Sequence, residues 1–251
     1  QNFLIDVNIL QILMDAAQLT TADQVLEVGP GLGVLTERLI RSAGKVVAVE
    51  KDKHLVRFLE QRFAGTGNLE LITGDILDQD LDGLMAQGIT RLVANLPYSI
   101  ASRMLVEFLL RKTMPGLMVI TIQKEVADRL RAVPCTKDYG LLGILTQLRC
   151  KIRIVKTISR MCFYPPPEVA SAIVSLEILP DPVDAAAFHK THKLVKACFN
   201  HRRKQMQTIL HQDQPDRGER MIAKLVELGY TPASRPEEIT PPDWLTLATV
   251  T

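Results

Sequence analysis

Through the first two-thirds of the chain, short apolar runs alternate with stretches of helical spacing. Residues 25–29, 45–50, 69–73, 91–95 and 117–122 read as strands, short and rich in Val, Ile and Leu. Between them, 34–42, 53–63 and 100–111 repeat apolar residues at three- and four-residue intervals and predict amphipathic helices. Such alternation predicts an α/β fold, a mostly parallel sheet covered by helices on both faces. Two later runs, near 151–157 and 172–179, are joined by a Pro-rich loop rather than a helix, and predict an antiparallel hairpin at one edge. Pro180-Asp181-Pro182 breaks the pattern. Beyond it the spacing is helical, with Gly229 as a helix stop and Thr240 capping a last helix that opens on Pro241. The expected organisation is a sheet domain over 1–180 and a small all-helical domain over 181–251.

Composition narrows the class. A hydrophobic share of 47% in 251 residues supports a sizeable core. No apolar run approaches the roughly 18–20 residues a membrane span needs. The opening Gln1-Asn2-Phe3-Leu4 has no signal-peptide character, so an intracellular protein is expected, and it reads like a chain whose first residues are missing. Cys135, Cys150, Cys162 and Cys198 form no metal-ligand spacing, so reduced thiols, mostly buried, and no metal are expected. The net charge is only +2, but the basic residues are gathered. Between Phe188 and Lys204 no acid occurs, while Lys190, Lys193, Lys196, Arg202, Arg203 and Lys204 are all present. A second acid-free run carries Arg149, Lys151, Arg153, Lys156 and Arg160. Local clusters on a near-neutral background suit a polyanion, with a solvated helix face as the plainer alternative.

The candidate chemistry lies at successive strand ends. Glu27-Val28-Gly29-Pro30-Gly31-Leu32-Gly33 follows the first predicted strand. A dinucleotide dehydrogenase wants G-x-G-x-x-G around a pyrophosphate. Here Val34 stands where that third glycine belongs, and Pro30 removes an N–H, so a ligand without phosphates suits the loop better. Glu50 can accept both hydroxyls of a ribose, and Asp75 an adenine amino group; a solvated strand end or helix cap is the alternative for each. Together they describe adenosine with a non-phosphate tail, and S-adenosylmethionine fits. In Asn95-Leu96-Pro97-Tyr98, the Asn95 side-chain carbonyl and the Leu96 backbone carbonyl can each accept one N–H of an aromatic amine. Pro97 ends the strand, and Tyr98 can stack on the base. The competing reading is a turn in which Asn95 caps the next helix and Tyr98 packs the core.

These motifs closely resemble the bacterial small-subunit rRNA adenine dimethyltransferases, the kasugamycin-sensitivity enzymes. The resemblance is carried by Gln1-Asn2-Phe3-Leu4, the glycine loop, Asn95-Leu96-Pro97-Tyr98-Ser99-Ile100, Gln123-Lys124-Glu125-Val126, Lys137-Asp138-Tyr139-Gly140, Phe163-Tyr164-Pro165-Pro166-Pro167 and Phe199-Asn200-His201-Arg202-Arg203-Lys204. It implies a Rossmann-like S-adenosylmethionine-dependent methyltransferase sheet in which Asn2 and Leu4 lie over the cofactor. Gly29, Gly31, Glu50, Asp75 and Asn95 would bind it. Asn95, Leu96, Pro97 and Tyr98 would form the catalytic motif, with Phe163 against the target adenine opposite Tyr98. The implied substrate is small-subunit rRNA, within a subunit or an assembly intermediate. Two adjacent loop adenosines near its 3′ end would each become N6,N6-dimethyladenosine, and Lys190, Lys193, Lys196, Arg202, Arg203 and Lys204 would grip phosphates. A cytoplasmic monomer is expected, an organellar home being the other possibility. A large-subunit rRNA methylase of the macrolide-resistance type, a DNA adenine methyltransferase and a non-catalytic assembly or transcription factor are the rivals. Two positions depart from the family: Ser99 replaces an Asn, still able to cap the following helix, and Ala170 replaces an acid after the Pro-rich loop.

Overall fold

In a computed structural model of the chain, residues 2–180, 183–214 and 216–250 are described. Gln1 of the opening motif and Asp181-Pro182 of the expected boundary lie outside them. The elements run β1 (Phe3–Leu4), α1 (Val7–Ala17), β2 (Gln24–Val28), α2 (Val34–Ser42), β3 (Lys45–Glu50), α3 (Lys53–Arg62) and β4 (Leu69–Thr73). Then follow α4 (Leu81–Ala86), β5 (Arg91–Asn95), α5 (Ala101–Leu109), β6 (Leu117–Gln123), α6 (Lys124–Leu130) and α7 (Leu141–Arg149). The chain continues through β7 (Cys150–Ile158), β8 (Phe163–Tyr164), β9 (Ser171–Ile178), α8 (Ala185–Asn200), α9 (Met206–Asp213), α10 (Gly218–Glu227) and α11 (Pro241–Ala248). Among the described residues no helix is long and apolar enough to cross a membrane.

Seven strands form one sheet in the order β4-β3-β2-β5-β6-β9-β7. The pairs β2–β3, β3–β4, β2–β5 and β5–β6 are parallel, and β9 runs antiparallel to β6. The inner parallel strands β2, β3, β5 and β6 are covered on both faces, so residues such as Val46, Val47, Val93 and Ala94 are fully buried whichever way they point. On one face, Leu10 and Leu13 of α1 join Leu35 and Leu39 of α2 over Val25, Val46, Val93, Val119 and Ile173. Asp6 starts α1 by accepting the amides of Asn8 and Ile9. Between β2 and β5 the strand order reverses, the switch point at which open α/β sheets bind ligands beyond their carboxyl ends.

A second, two-stranded sheet pairs β1 with β8 antiparallel, Phe3 opposite Tyr164 and Leu4 opposite Phe163. Directly opposed residues share a face. Leu4 and Phe163 therefore go into the core together, at 5% and 1% exposure, and leave Phe3 and Tyr164 on the other side.

The contacts divide the chain into Gln1–Ala127 with Lys151–Ile178, and Asp128–Cys150 with Leu179–Thr251. The C-terminal division lies beside the expected one, but the helical unit also takes Asp128–Cys150, which the sequence reading left with the sheet. The reason is its side chains. Tyr139 is buried, donates to the Ile239 carbonyl oxygen at 2.6 Å and sits edge-on to Phe199, which in turn packs on Trp244. The Arg149 guanidinium lies 4.7 Å over the Phe188 ring. In α11, Thr240 caps with its side chain as expected, and Gly229, with φ at +91°, follows the end of α10.

Candidate cofactor and substrate site

A cavity of about 400 Å³ opens at the carboxyl ends of β2, β3, β4 and β5, within the range of small-molecule sites. Asn2, Gly29, Gly31, Glu50, Asp75, Asn95, Leu96, Pro97 and Tyr98 line it, so most of the residues expected to bind cofactor and amine come together. Leu4 does not: it is buried and borders a smaller adjoining cavity.

The glycine loop is shaped by backbone. Gly31 has φ at +59°, and a Cβ there would stand 2.8 Å from the Phe3 ring. At Gly29 a Cβ would meet the Pro97 ring at 3.4 Å, which brings the loop against the tetrapeptide. Glu50, 3% exposed at the end of β3, receives the Gly31 amide at 3.2 Å and the Asp52 amide at 2.9 Å, one on each oxygen. Its carboxylate thus faces the cavity in a fixed orientation with acceptor capacity left over. Asp75 takes the Leu77 amide at 3.0 Å and the Lys51 ammonium at 2.9 Å. The Leu77 amide first, then Lys51, holds its carboxyl below the ordinary range. An amino group meeting Asp75 therefore meets an ionised acceptor.

Asn95 ends β5, and its Nδ2 donates to the Asn2 carbonyl oxygen at 3.2 Å. That bond commits the amide's donor side and leaves Oδ1 buried, with no hydrogen-bond partner among the described residues. A buried acceptor without a partner is costly, and one on a ligand cavity is satisfied by a donor on the ligand. Asn2 in turn donates through Nδ2 to the Pro165 carbonyl oxygen at 2.7 Å. The Tyr98 hydroxyl meets Ser171 Oγ at 2.5 Å, and burial raises its pKa. Asn95 does not cap the next helix, and neither does Ser99: α5 starts after Ile100 with no side-chain cap. The Pro-rich loop, without an acid at Ala170, is tied instead by the Lys124 amide on the Ala170 carbonyl oxygen at 2.9 Å.

Two expected contacts are placed elsewhere. Phe163 is in the core cluster and does not border the cavity, because its register with Leu4 turns it inward. Arg202 is not a free cation: Nε donates to Glu237 at 2.6 Å, and its two terminal nitrogens donate to the Lys137 and Thr136 carbonyl oxygens at 2.8 and 2.9 Å. It fastens the turn before α7 within the helical unit. By contrast Lys190, Lys193 and Lys196 are exposed along α8, spread over about 120° at 100° per residue on an arc separate from the buried Thr191, Leu194 and Cys198. Arg203 and Lys204 are exposed beyond its end.

Sequence reasoning also missed residues. Phe3 covers Gly31, and Lys51 partners Asp75. Glu27 is 1% exposed, with Oε2 lacking a hydrogen-bond partner, at the smaller cavity that shares Gly29 and Asn95 with the larger one. Burial pushes its carboxyl up to about 8; Thr36 offsets part of the rise and Glu50 adds to it. An acid at the end of a buried strand run is the only sign of this in the sequence. Among the described residues no three His, Cys, Asp or Glu side chains gather as metal ligands.

The family described as ribosomal RNA adenine dimethylase matches residues 1–239. A ribosomal RNA small subunit methyltransferase A of Pelotomaculum thermopropionicum is 38% identical over 99% of the chain and 88% of its own length. The protein of the same name from Dehalococcoides mccartyi is 40% identical over 100% and 86%. The crystal structure of a dimethyladenosine transferase from Plasmodium falciparum superposes with a TM-score of 0.83 at 26% identity, covering 98% of this chain and 95% of that one. A 23S rRNA methyltransferase, ErmE, superposes at 0.70 with 27% identity, covering 98% of both. With its motifs assembled around one cavity and a match along nearly its whole length, the chain belongs to the ribosomal RNA adenine dimethylase family.

Proposed function

We propose that this enzyme methylates N6 of two adjacent loop adenosines near the 3′ end of small-subunit rRNA, giving N6,N6-dimethyladenosine at each. S-adenosylmethionine is the cofactor and supplies the methyl group from a positively charged sulfonium. In this reading Glu50 accepts the ribose hydroxyls of that cofactor and Asp75 its adenine amino group, while Gly29 and Gly31 let it approach the backbone. Asn95 Oδ1 and the Leu96 carbonyl oxygen accept from the target amine and orient its nitrogen for in-line attack, and Tyr98 stacks on the extruded base. As the N6–methyl bond forms, the methyl–sulfur bond would break and S-adenosylhomocysteine would leave as a neutral thioether. A neutral amine meeting a sulfonium disperses charge, so no strong base is needed, and the proton that leaves N6 passes to water. The two carbonyl oxygens stabilise the positive charge developing on that nitrogen.

The observation that carries the reading is the buried, unpartnered Asn95 Oδ1 in a cavity that also holds Glu50 and Asp75. The whole-length likeness to small-subunit enzymes, at 38% and 40% identity, favours that subunit over the large one. Lys190, Lys193, Lys196, Arg203 and Lys204 supply phosphate contacts, making the helical unit the RNA-gripping part. The enzyme works as a cytoplasmic monomer on a small subunit or its assembly intermediate. Tritiated methyl transfer to unmethylated small subunits, large subunits and DNA tests this. Label is expected in small-subunit RNA as N6,N6-dimethyladenosine, and Asn95→Ala abolishes it. Label confined to large-subunit RNA or DNA overturns the assignment.

A further inference from the structure

We propose that Tyr164 is a substrate-recognition residue: its ring forms a stacking platform, at the rim of the cavity, for an unpaired RNA base next to the target adenosine. This rests on the RNA-methylating reading above and adds a contact that reading does not contain.

The β1–β8 register places the ring. Tyr164 is paired with Phe3, and Phe3 lines the cavity. Opposed residues of an antiparallel pair project to the same face with Cα atoms about 4.5–5.5 Å apart. Tyr164 therefore stands beside a cavity wall, while its neighbour Phe163 is turned into the core. The next residue, Pro165, accepts from Asn2, and Asn2 accepts from Asn95. Two hydrogen bonds thus connect the backbone beside Tyr164 to the amide that receives the target amine.

The ring itself has no cover. Tyr164 is 68% exposed and Met161, one turn earlier, 70%. Neither the hydroxyl nor the ring of Tyr164 has a hydrogen-bond or ring partner among the described residues. An exposed aromatic face beside a base-binding cavity fits another base, because every base offers a π-face. Charge points to the same occupant. Toward the carboxyl ends of the parallel strands, where the cavity opens, the chain from Lys156 to Leu176 carries Lys156 and Arg160 against the single acid Glu168. Both cationic residues are exposed. A polyanion whose bases unstack from one another meets both features, whereas an apolar protein surface leaves the cations unanswered.

Steady-state methyl transfer to unmethylated small subunits, with wild type, Tyr164→Ala, Tyr164→Leu and Tyr164→Phe, tests the proposal. For Ala and Leu the KM for RNA should rise about tenfold, within the roughly 5- to 150-fold range for one lost base stack. Phe should stay within about twofold, as stacking needs the ring rather than the hydroxyl. The melting temperature and the Kd for S-adenosylhomocysteine should not move in any variant. A wild-type KM in Tyr164→Ala overturns the proposal, as does Leu performing like Phe, or a loss that appears in kcat or in cofactor Kd. A wild type that transfers no methyl group to small subunits overturns the functional reading instead. In that event Tyr164→Trp still decides the platform, because the native Trp244 is fully buried. Single-stranded small-subunit RNA should quench the new indole, and no quenching sinks the inference.

Discussion

Replacing Glu27 by Gln should make the enzyme more stable at alkaline pH and remove one pH dependence of folding. In the folded protein burial lifts the Glu27 carboxyl from 4.5 to about 8. Below pH 4.5 the folded and unfolded chains both hold the proton. Between 4.5 and about 8 only the folded chain holds it, so stability falls as pH rises, by about 1.4 kcal/mol per pH unit. Across that window the loss sums to about 5 kcal/mol, complete once pH passes the folded-state value. A neutral amide has no such slope. Urea unfolding followed by circular dichroism at half-unit steps from pH 5 to 9 measures both proteins. The stability difference, variant minus wild type, should grow steadily up to about pH 8 and then level off. Parallel profiles would refute the reasoning, since Glu27 would then titrate alike in both states.

Other perturbations separate positions that the sequence groups together. Arg202→Ala should lower unfolding stability by about 1–3 kcal/mol, from loss of its Glu237 and carbonyl bonds, and leave the salt dependence of RNA binding unchanged. The double change Arg203→Ala, Lys204→Ala should do the reverse, keeping the melting temperature and reducing the slope of log K against log salt by about 0.7 per lost contact. Gly31→Ala, with φ at +59° and Phe3 in the way, should weaken S-adenosylhomocysteine binding about tenfold by calorimetry. Lys51→Met should change that affinity by less than about fivefold, because its pair with Asp75 is solvent-exposed on the lysine side, whereas Asp75→Asn should cost more.

The middle of the sheet was legible because its inner strands are buried on both faces. β3 and β5 begin and end where their apolar runs do, and the partly exposed edge strand β4 was still read at its bounds from its Leu and Ile content. The cavity was legible through residues whose task is local: a glycine that must turn, an acid at a strand end, an Asn before a Pro. What escaped depends on partners distant in sequence. Phe163 and Tyr164 differ by one position, and only the register with Phe3 and Leu4 decides which faces the core. Arg202 and Arg203 are chemically equal, and only the fold gives one of them Glu237. Tyr139 belongs to the helical unit through a bond spanning 100 residues, which no pattern within 128–150 reveals. In α1 the signal is present, Asp6 ahead of Ile9, Leu10 and Leu13, yet the helix had no place among the elements read from the sequence.

The assignment of Asp128–Cys150 to the helical unit bears on how the protein is made. Synthesis delivers this segment before the sheet's last strands and well before its own partners. Every residue of the sheet unit has been added once Ile178 is in place, but Tyr139 cannot reach Ile239 until a further stretch has been translated. At roughly 5–20 residues per second, the 100 residues between those partners take about 5–20 s. For that interval the nascent chain carries Ile144, Leu145 and Leu148, buried in the finished protein, without the helices that complete their unit. Ribosomes stalled in this span should therefore display a chaperone-binding loop, and a strict division at residue 180 would make that exposure permanent.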